Sequence, residues 1–266
     1  MPAKVGADDQ GQRQGQIAHL LWTSGWDSTY RLLDLVVVQG RTVQPYYFMT
    51  PNRQSTEAEW AAMEAIKGAI EEKSPAIRSL ILETIVVRPE DIKPDPWFDK
   101  ALANLRRSGH LGGQYPDLAR MAKQLGVRME MALHEDDRPL DYLMGDLEKD
   151  GGVYRLIENP SSPDLKLFES FDFPLVEMTK KGMGTKAREH GFADLMELTW
   201  FCHHPDRHGQ ACGKCTPCRH TIEEGLGRRI PVKNRIRGNL SRSFRLLTSP
   251  IRGFGIRKRL GLAKSG

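Results

Sequence analysis

The sequence is poor in several features that define large classes of proteins. It has only four cysteines in 266 residues, and no apolar run approaches the roughly 18 residues of a membrane span. The first sixteen residues, MPAKVGADDQGQRQGQ, lack the apolar stretch of a secretory signal peptide. These absences argue against a membrane-spanning or secreted protein. They predict a cytoplasmic protein whose residues 1–16 form a disordered lead.

Acidic residues are missing from the end of the chain. None follows Glu224, whereas residues 228–266 carry 12 Lys or Arg, so residues 1–227 have a net charge of about −7. The overall charge of +5 therefore hides an acidic body and a basic tail. We interpret residues 227–266 as a separate basic tail. It would be a solubilising disordered segment, or would bind an acidic partner, nucleic acid or an anionic membrane surface.

Strand and helix patterns alternate through the body of the chain. Residues 17–24 read as a buried strand, 29–38 as a helix, "RTVQPYYFMT" as a strand and 56–72 as a helix. "LETIVVR" and "RMEMALHEDD" read as further strands, and a helix over 117–125 stops at Gly126. Residues 92–116 read as a loop-bearing insert. The pattern predicts an α/β domain over 17–198, with a parallel sheet flanked by helices.

The stretch "TSGWDST" lies between the first strand and the first helix. Gly25 would allow a close backbone approach, and the hydroxyls of Ser24, Ser28 and Thr29 would donate hydrogen bonds to phosphate. Asp27 would repel phosphate unless it binds Mg²⁺ or caps the helix. A capped helix without any ligand is the alternative interpretation of the same residues.

The four cysteines all lie within 17 residues, near the end of the acidic body. Their spacing is that of a metal knuckle rather than of a disulfide framework. Four thiolates suit a closed, structural Zn²⁺ site better than a catalytic one. Free thiols or a redox pair are the alternatives. The predicted knuckle spans residues 199–226, and its ligands are Cys202, Cys212, Cys215 and Cys218.

Two resemblances add to this interpretation. "SGWDS" resembles the S-G-G-x-D-S motif of the PP-loop ATP pyrophosphatases, with Trp26 taken at the second glycine position. "PLVEMTKKGMGTKAREHGFADLMELTWFC…ACGKCTPCRHTIEEG" resembles the C-terminal half of the 7-cyano-7-deazaguanine synthases. The shared positions are Thr179-Lys180, Thr199-Trp200 and the four cysteines.

The resemblance implies a Rossmann-like fold and an AMP-forming ligase that uses ATP, Mg²⁺ and Zn²⁺. Such enzymes adenylate the carboxylate of 7-carboxy-7-deazaguanine, and ammonia then gives the amide and finally the nitrile, as in queuosine biosynthesis. Lys180 and Asp27 would be catalytic, with Lys180 binding a phosphate oxygen. ATP would be bound by Ser24, Gly25, Asp27, Ser28, Thr29 and Arg53. The family is often dimeric, which implies a homodimer.

The sequence departs from the family where the substrate should be bound. "MTPNRQSTEAE" keeps Arg53 and Glu57, but the family's Arg-Asn pair is missing. The acidic run Glu135-Asp136-Asp137 would hold Mg²⁺ or a purine-like edge, or is simply solvated. The acid substrate could therefore be a related one. Two other functions stay open: a PP-loop tRNA-thiolating enzyme, and a non-catalytic zinc-bearing binding protein that kept the fold.

Overall fold

The computed structural model describes residues 16–50 and 53–239. The predicted disordered lead and most of the basic tail lie outside these ranges. Seven strands form a single sheet. They are β1 (Ala18–Leu21), β2 (Val43–Phe48), β3 (Ile85–Val87), β4 (Met129–Glu130), β5 (Leu147–Asp150), β6 (Val153–Leu156) and β7 (Phe171–Phe173).

Nine α-helices accompany the sheet in the described residues: α1 (Trp26–Leu33), α2 (Thr56–Lys73), α3 (Pro75–Arg78), α4 (Pro96–Leu105), α5 (Tyr115–Leu125), α6 (Leu140–Leu143), α7 (Lys180–Glu189), α8 (Ala193–Glu197) and α9 (Thr216–Glu223). Helix α1 continues as a π-helical turn over Asp34–Val38. No helix in the described part of the chain is long and apolar enough to cross a membrane.

The sheet is mixed, which corrects the prediction of a parallel sheet. Its order is β3-β2-β1-β4-β7-β6-β5, and the first five of these strands are parallel. Strands β5 and β6 are antiparallel because Gly151 and Gly152, with φ of 52° and 84°, make a two-residue hairpin turn. The predicted α/β class is confirmed, and an antiparallel hairpin extends the parallel sheet.

Side-chain alternation along the strands explains why the sheet is covered on both faces. Leu21 and Tyr46 point into one apolar cluster, while their neighbours Leu20 and Tyr47 point into the other. Helices α4 and α5 pack on the first face, and helices α1, α2, α7 and α8 pack on the second. The carboxyl ends of β1, β4 and β7 consequently open at one edge between these layers.

Two predicted element boundaries were wrong for identifiable reasons. Helix α1 begins at Trp26, three residues before the predicted start, because Gly25 is the extended N-cap residue. The predicted insert contains helix α4, whose first turn starts at Pro96 and is capped by the Asp95 carboxylate accepting from the Trp97 N–H. The helix over 117–125 was predicted correctly, and its Gly126 cap has a left-handed φ of 63°.

The folded part of the chain extends beyond the predicted boundary at residue 226. A 3₁₀ turn, Gly227–Arg229, is followed by a helical segment over residues 232–239. Asn234 is buried and donates to the Asp206 carboxylate and to the Ala211 carbonyl, both at 2.9 Å. A Cβ on Gly238 would lie 2.1 Å from the Gly213 carbonyl oxygen, so this contact requires glycine. The first part of the basic tail is thus packed against the knuckle.

Candidate functional site

The loop after β1 has an unusual backbone conformation at Ser24. Its φ is 54°, the only positive φ of a non-glycine residue in the described chain. Ser24 is fully buried, and its hydroxyl has no hydrogen-bond partner in the described structure. A strained residue with an unsatisfied buried hydroxyl is typical of a functional loop.

The conformation of Ser24 also changes how the loop aligns with the PP-loop motif. Counted back from Asp27-Ser28, the six motif positions fall on Thr23 to Ser28, so Ser24 stands at the first glycine and Gly25 at the second. The left-handed φ of Ser24 fits a position that favours glycine. Trp26 therefore occupies the variable position, which corrects its placement at a glycine.

Trp26 lies in the first turn of α1, and its indole ring is directed towards α7. A Cβ on Gly184 would lie 3.7 Å from the Trp26 ring, and the Arg229 guanidinium lies 5.5 Å from the centre of that ring. A Cβ is tolerated at Trp26 because the backbone there is helical. The tryptophan is therefore part of the apolar packing behind the loop.

The predicted hydroxyl residues have different surroundings. Ser28 Oγ accepts from the Thr23 N–H and donates to the Gly25 carbonyl, each at 3.4 Å, so it shapes the loop from within. Thr29 is fully buried, and its hydroxyl accepts from the Trp22 indole at 3.0 Å. In this structure Thr29 anchors α1 on β1. Its predicted role in binding phosphate stays a prediction.

Asp27 and Lys180 meet at the carboxyl edge of the sheet, although they lie far apart in sequence. Lys180 Nζ lies 3.9 Å from Asp27 Oδ2 and 2.9 Å from Glu224 Oε1. Asp27 Oδ1 is buried without a partner among the described residues. Burial raises the pKa of Asp27 to about 6, against the opposing effect of Lys180. Burial alone would lower the pKa of Lys180, but Asp27 and Glu224 raise it, so the ammonium stays charged.

The acidic run after β4 contributes one of its three carboxylates to this neighbourhood. Asp137 is half-buried and close enough to help raise the pKa of Asp27. It accepts from the His134 N–H at 3.0 Å and lies 3.4 Å from His134 Nε2. Glu135 and Asp136 are exposed. The carboxylates that could hold Mg²⁺ together are therefore Asp27 and Asp137.

Arg53 is held by residues of the second strand and helix. Its Nε lies 2.9 Å from Glu59 Oε1 and donates to Ser55 Oγ at 3.0 Å. Glu59 also accepts from the Tyr47 hydroxyl at 2.8 Å. The residue after Arg53 is Gln54, whose Oε1 lies 2.9 Å from His204 Nδ1 of the knuckle. Arg53 would have to leave its ion pair to bind a nucleotide, and that predicted role stays a prediction.

The four cysteines converge on a single point. All four Sγ atoms lie within 4.8 Å of one another, and the pairs Cys212–Cys218 and Cys202–Cys215 are each 3.9 Å apart. A tetrahedral ion with Zn–S bonds of about 2.3 Å places its sulfurs about 3.8 Å apart. The cluster therefore fits one tetrahedral ion. A four-iron cluster would need a wider spacing, because each thiolate binds a different iron.

The neighbouring thiols influence one another's ionisation. The hydrogen bond between Cys215 and Cys202 raises the pKa of Cys202 to about 12 and lowers that of Cys215. The Cys212 N–H donates to Cys202 Sγ at 3.2 Å, and the Cys215 N–H donates to Cys212 Sγ at 3.4 Å. Such N–H···S bonds stabilise thiolates, and a bound metal would ionise all four cysteines.

The knuckle is hydrogen-bonded directly to the loop after β1. The Trp200 N–H donates to the Ser24 carbonyl at 2.9 Å, and the Trp200 indole donates to the Cys202 carbonyl at 2.7 Å. Arg229 donates to the hydroxyl of Thr199 at 2.7 Å and to its carbonyl. The Thr199-Trp200 pair therefore connects the cysteine cluster to the strained serine.

The sequence interpretation missed Arg229, Glu224 and His134. Arg229 was assigned to the basic tail, but its side chain is buried between the Trp26 and Phe201 rings, and burial lowers its pKa to about 10. The adjacent Arg228 is exposed, so composition alone did not separate the two. Glu224 was visible only as the last acidic residue of the chain. His134 stands immediately before the acidic run and was read as part of a strand.

Comparison with known proteins gives a family match over part of the chain. Residues 168–226 match the family model described as Queuosine biosynthesis protein QueC. The matched segment contains β7, α7, α8, α9 and all four cysteines, and it confirms the resemblance noted in the sequence. No curated protein sequence matches the chain significantly.

One solved structure with a similar chain is the U34-tRNA thiolase NcsA from Methanococcus maripaludis with its 4Fe–4S cluster. The two chains share 12% sequence identity, and the alignment covers 95% of this chain and 83% of that chain, with a TM-score of 0.40. This similarity is too low to bear on the function of the chain.

Proposed function

We propose that the chain is an ATP-dependent, AMP-forming ligase that adenylates a carboxylate and transfers ammonia to it. Its acid substrate would be 7-carboxy-7-deazaguanine or a related acid. The observation that carries the proposal is the conjunction, at the N-terminus of α1, of a strained buried Ser24, the unpartnered Asp27 Oδ1 and the Lys180 ammonium. A helix N-terminus with a nearby cation suits phosphate groups.

In the proposed reaction, different residues bind the phosphates, the metal ion and the leaving pyrophosphate. The substrate carboxylate oxygen attacks the α-phosphorus of ATP, and pyrophosphate leaves. Lys180 would stabilise the negative charge that develops on the phosphate oxygens, while the α1 N-terminus and Ser24 would hold the departing pyrophosphate. Asp27 and Asp137 would hold Mg²⁺, which neutralises phosphate charge when bound.

Ammonia then attacks the acyl carbon, AMP leaves, and the amide forms with release of a proton. In a second round the amide oxygen is adenylated, and loss of AMP leaves the nitrile. In each round a substrate oxygen attacks the α-phosphorus of ATP, the carboxylate oxygen first and the amide oxygen second, so one phosphate site serves both. Exclusion of water from the acyl-adenylate would protect it from hydrolysis.

The metal proposed for the knuckle is Zn²⁺. The donor set is four thiolates at tetrahedral spacing, and all four positions are filled by protein, which makes the site structural. A single tetrahedral iron would fit the same sulfurs. Elemental analysis of the purified protein distinguishes the two: we expect about one zinc per chain, whereas stoichiometric iron with visible absorption would contradict the assignment.

The test of the ligase is release of AMP and pyrophosphate from Mg-ATP, with 7-carboxy-7-deazaguanine and ammonium supplied or omitted. We expect release that depends on the acid, and amide or nitrile by mass spectrometry. Lys180→Ala should abolish release, whereas the matched control Lys181→Ala, an exposed neighbour, should not. Release with other carboxylates only would keep the adenylation chemistry and change the substrate. Failure to bind ATP would leave a non-catalytic zinc-bearing protein.

A tRNA-thiolating activity is disfavoured by the arrangement of the thiols. Such chemistry uses a cysteine pair, and all four cysteines of the sequence lie in the metal cluster. Sulfur incorporation into tRNA with no product from the acid would nevertheless overturn the ligase proposal. The homodimer and the cytoplasmic location implied by the sequence stay predictions.

A further inference from the structure

A large groove lies on the face of the knuckle and is separate from the site at the end of β1. Its volume is about 1560 Å³, and it runs between the knuckle loop, α9 and the helical segment 232–239. Five exposed cations line it: Arg207, Lys214, Arg219, Lys233 and Arg237. The groove is too large for a single small metabolite, since small-molecule sites are typically about 300–1,000 Å³.

The charges of the groove cations are not neutralised within the described part of the protein. None of the five lies within ion-pair distance of a carboxylate in residues 16–50 and 53–239. The two acidic residues of the lining are Asp206 and Glu223. Asp206 is occupied by hydrogen bonds from Asn234 and from the backbone of His208 and Gln210. The groove therefore presents a net positive surface.

We propose that this groove binds a single-stranded nucleic acid, most simply RNA, along its phosphate backbone. Exposed aromatic rings lie beside the cations and support the same proposal. His203 and His204 both line the groove, and their ring centres are 6.5 Å apart with an 82° angle between the planes. Phosphate-binding cations next to exposed aromatic rings are the usual components of a single-strand site.

Other occupants fit the groove less well. A membrane surface is flat and would not follow a concave groove, whereas a strand of phosphates would. The residues after Asn239 contain no Asp or Glu but several Arg and Lys, so like-charge repulsion opposes their filling the groove. This proposal does not depend on the ligase activity, because no groove cation belongs to the ATP site.

The test is fluorescence anisotropy of labelled single-stranded RNA with the full-length protein at several salt concentrations. If each of the five cations contacts one phosphate, the slope of log K against log salt is about −3.5. The triple variant Arg207→Gln, Lys214→Gln, Lys233→Gln should reduce the slope by about 2 and weaken binding about a hundredfold at 0.1 M salt. A matched triple, Lys100→Gln, Arg107→Gln, Lys166→Gln, removes three exposed cations elsewhere and should bind as the wild type does.

Several results would overturn the proposal. No binding by the wild type, or unchanged binding by the groove triple variant, would place any affinity elsewhere, for example in the basic tail. Displacement of RNA by polyglutamate at equal charge would indicate an acidic protein partner, and binding to phosphatidylserine vesicles in place of RNA would indicate a membrane. Metal content and circular dichroism of the variants check folding, and the single variant Lys233→Gln provides a second measurement.

Discussion

The strained serine allows a prediction in which stability and affinity change in opposite directions. Ser24 combines a left-handed φ with a buried hydroxyl that has no partner in the described structure. Removing the hydroxyl in Ser24→Ala eliminates an unsatisfied group, which should stabilise the ATP-free protein by about 1 kcal/mol. Ser24→Gly removes the Cβ as well and relieves about 1–2 kcal/mol of backbone strain.

Glycine also increases the entropy of the unfolded chain, which offsets about 0.4–1 kcal/mol of that gain. The free energy of unfolding of the glycine variant should therefore exceed that of the alanine variant by about 0.5–1 kcal/mol. The loss of a hydroxyl that binds phosphate should weaken ATP binding by about 1.5–3 kcal/mol, which corresponds to about ten- to a hundredfold. Stability should increase from Ser to Ala to Gly at position 24, whereas ATP should bind most tightly to the wild type with Ser.

The measurements are urea unfolding at saturating zinc and isothermal titration with Mg-ATP. The exposed Ser79→Ala variant serves as a control that should change neither quantity appreciably. If Ala and Gly were no more stable than Ser, the backbone at position 24 would be unstrained and its hydroxyl satisfied. If both variants bound ATP as tightly as the wild type, Ser24 would not contact phosphate.

Three further predictions concern charge, metal and packing. Because the pKa of Asp27 is raised to about 6, its carboxylate becomes protonated as the pH falls through 6. The affinity for Mg-ATP should therefore be constant above about pH 7 and fall about tenfold per pH unit below 6. Asp27→Asn should remove this pH dependence, and an affinity of the wild type that does not change with pH would contradict the prediction. Cys218→Ser should lower the zinc content and also weaken ATP binding, since the knuckle holds the Ser24 carbonyl. Elemental analysis and calorimetric titration with Mg-ATP check this prediction. Loss of zinc with unchanged ATP affinity would show that the knuckle and the loop after β1 are uncoupled. Gly213→Ala would place a Cβ 2.3 Å from the Asn234 carbonyl oxygen at a φ of 71°, and should destabilise the fold by about 2 kcal/mol or more in urea unfolding; a smaller loss would mean that segment 232–239 is loosely attached.

Local patterns predicted the elements whose side chains repeat regularly. The helix over 56–72 was found at Thr56–Lys73, and Gly126 ends α5 as expected. The hairpin of β5 and β6 was missed, although the Asp-Gly-Gly sequence at 150–152 is a hairpin signal. Helix α4 was missed because the prolines at its start were interpreted as loop residues, whereas Pro96 occupies the first helical turn.

The candidate site was only partly predictable, because its contacts join distant parts of the chain. The cysteine cluster is local in sequence, so its spacing was sufficient to predict convergence. The approach of Lys180 to Asp27 depended on a family resemblance and not on periodicity. The burial of Arg229 under Trp26 depends on the packing of the last described segment, and no pattern in the sequence distinguishes Arg229 from Arg228.

The hydrogen bond from Trp200 to the Ser24 carbonyl has a consequence for how the protein is made. Ser24 is translated well before Trp200, whose N–H holds its carbonyl. At typical elongation rates the two are separated by about ten seconds or more. During that time β1 and α1 can form, but the strained backbone at Ser24 lacks the Trp200 contact. The loop after β1 would therefore reach its final form only after Trp200 has left the ribosome.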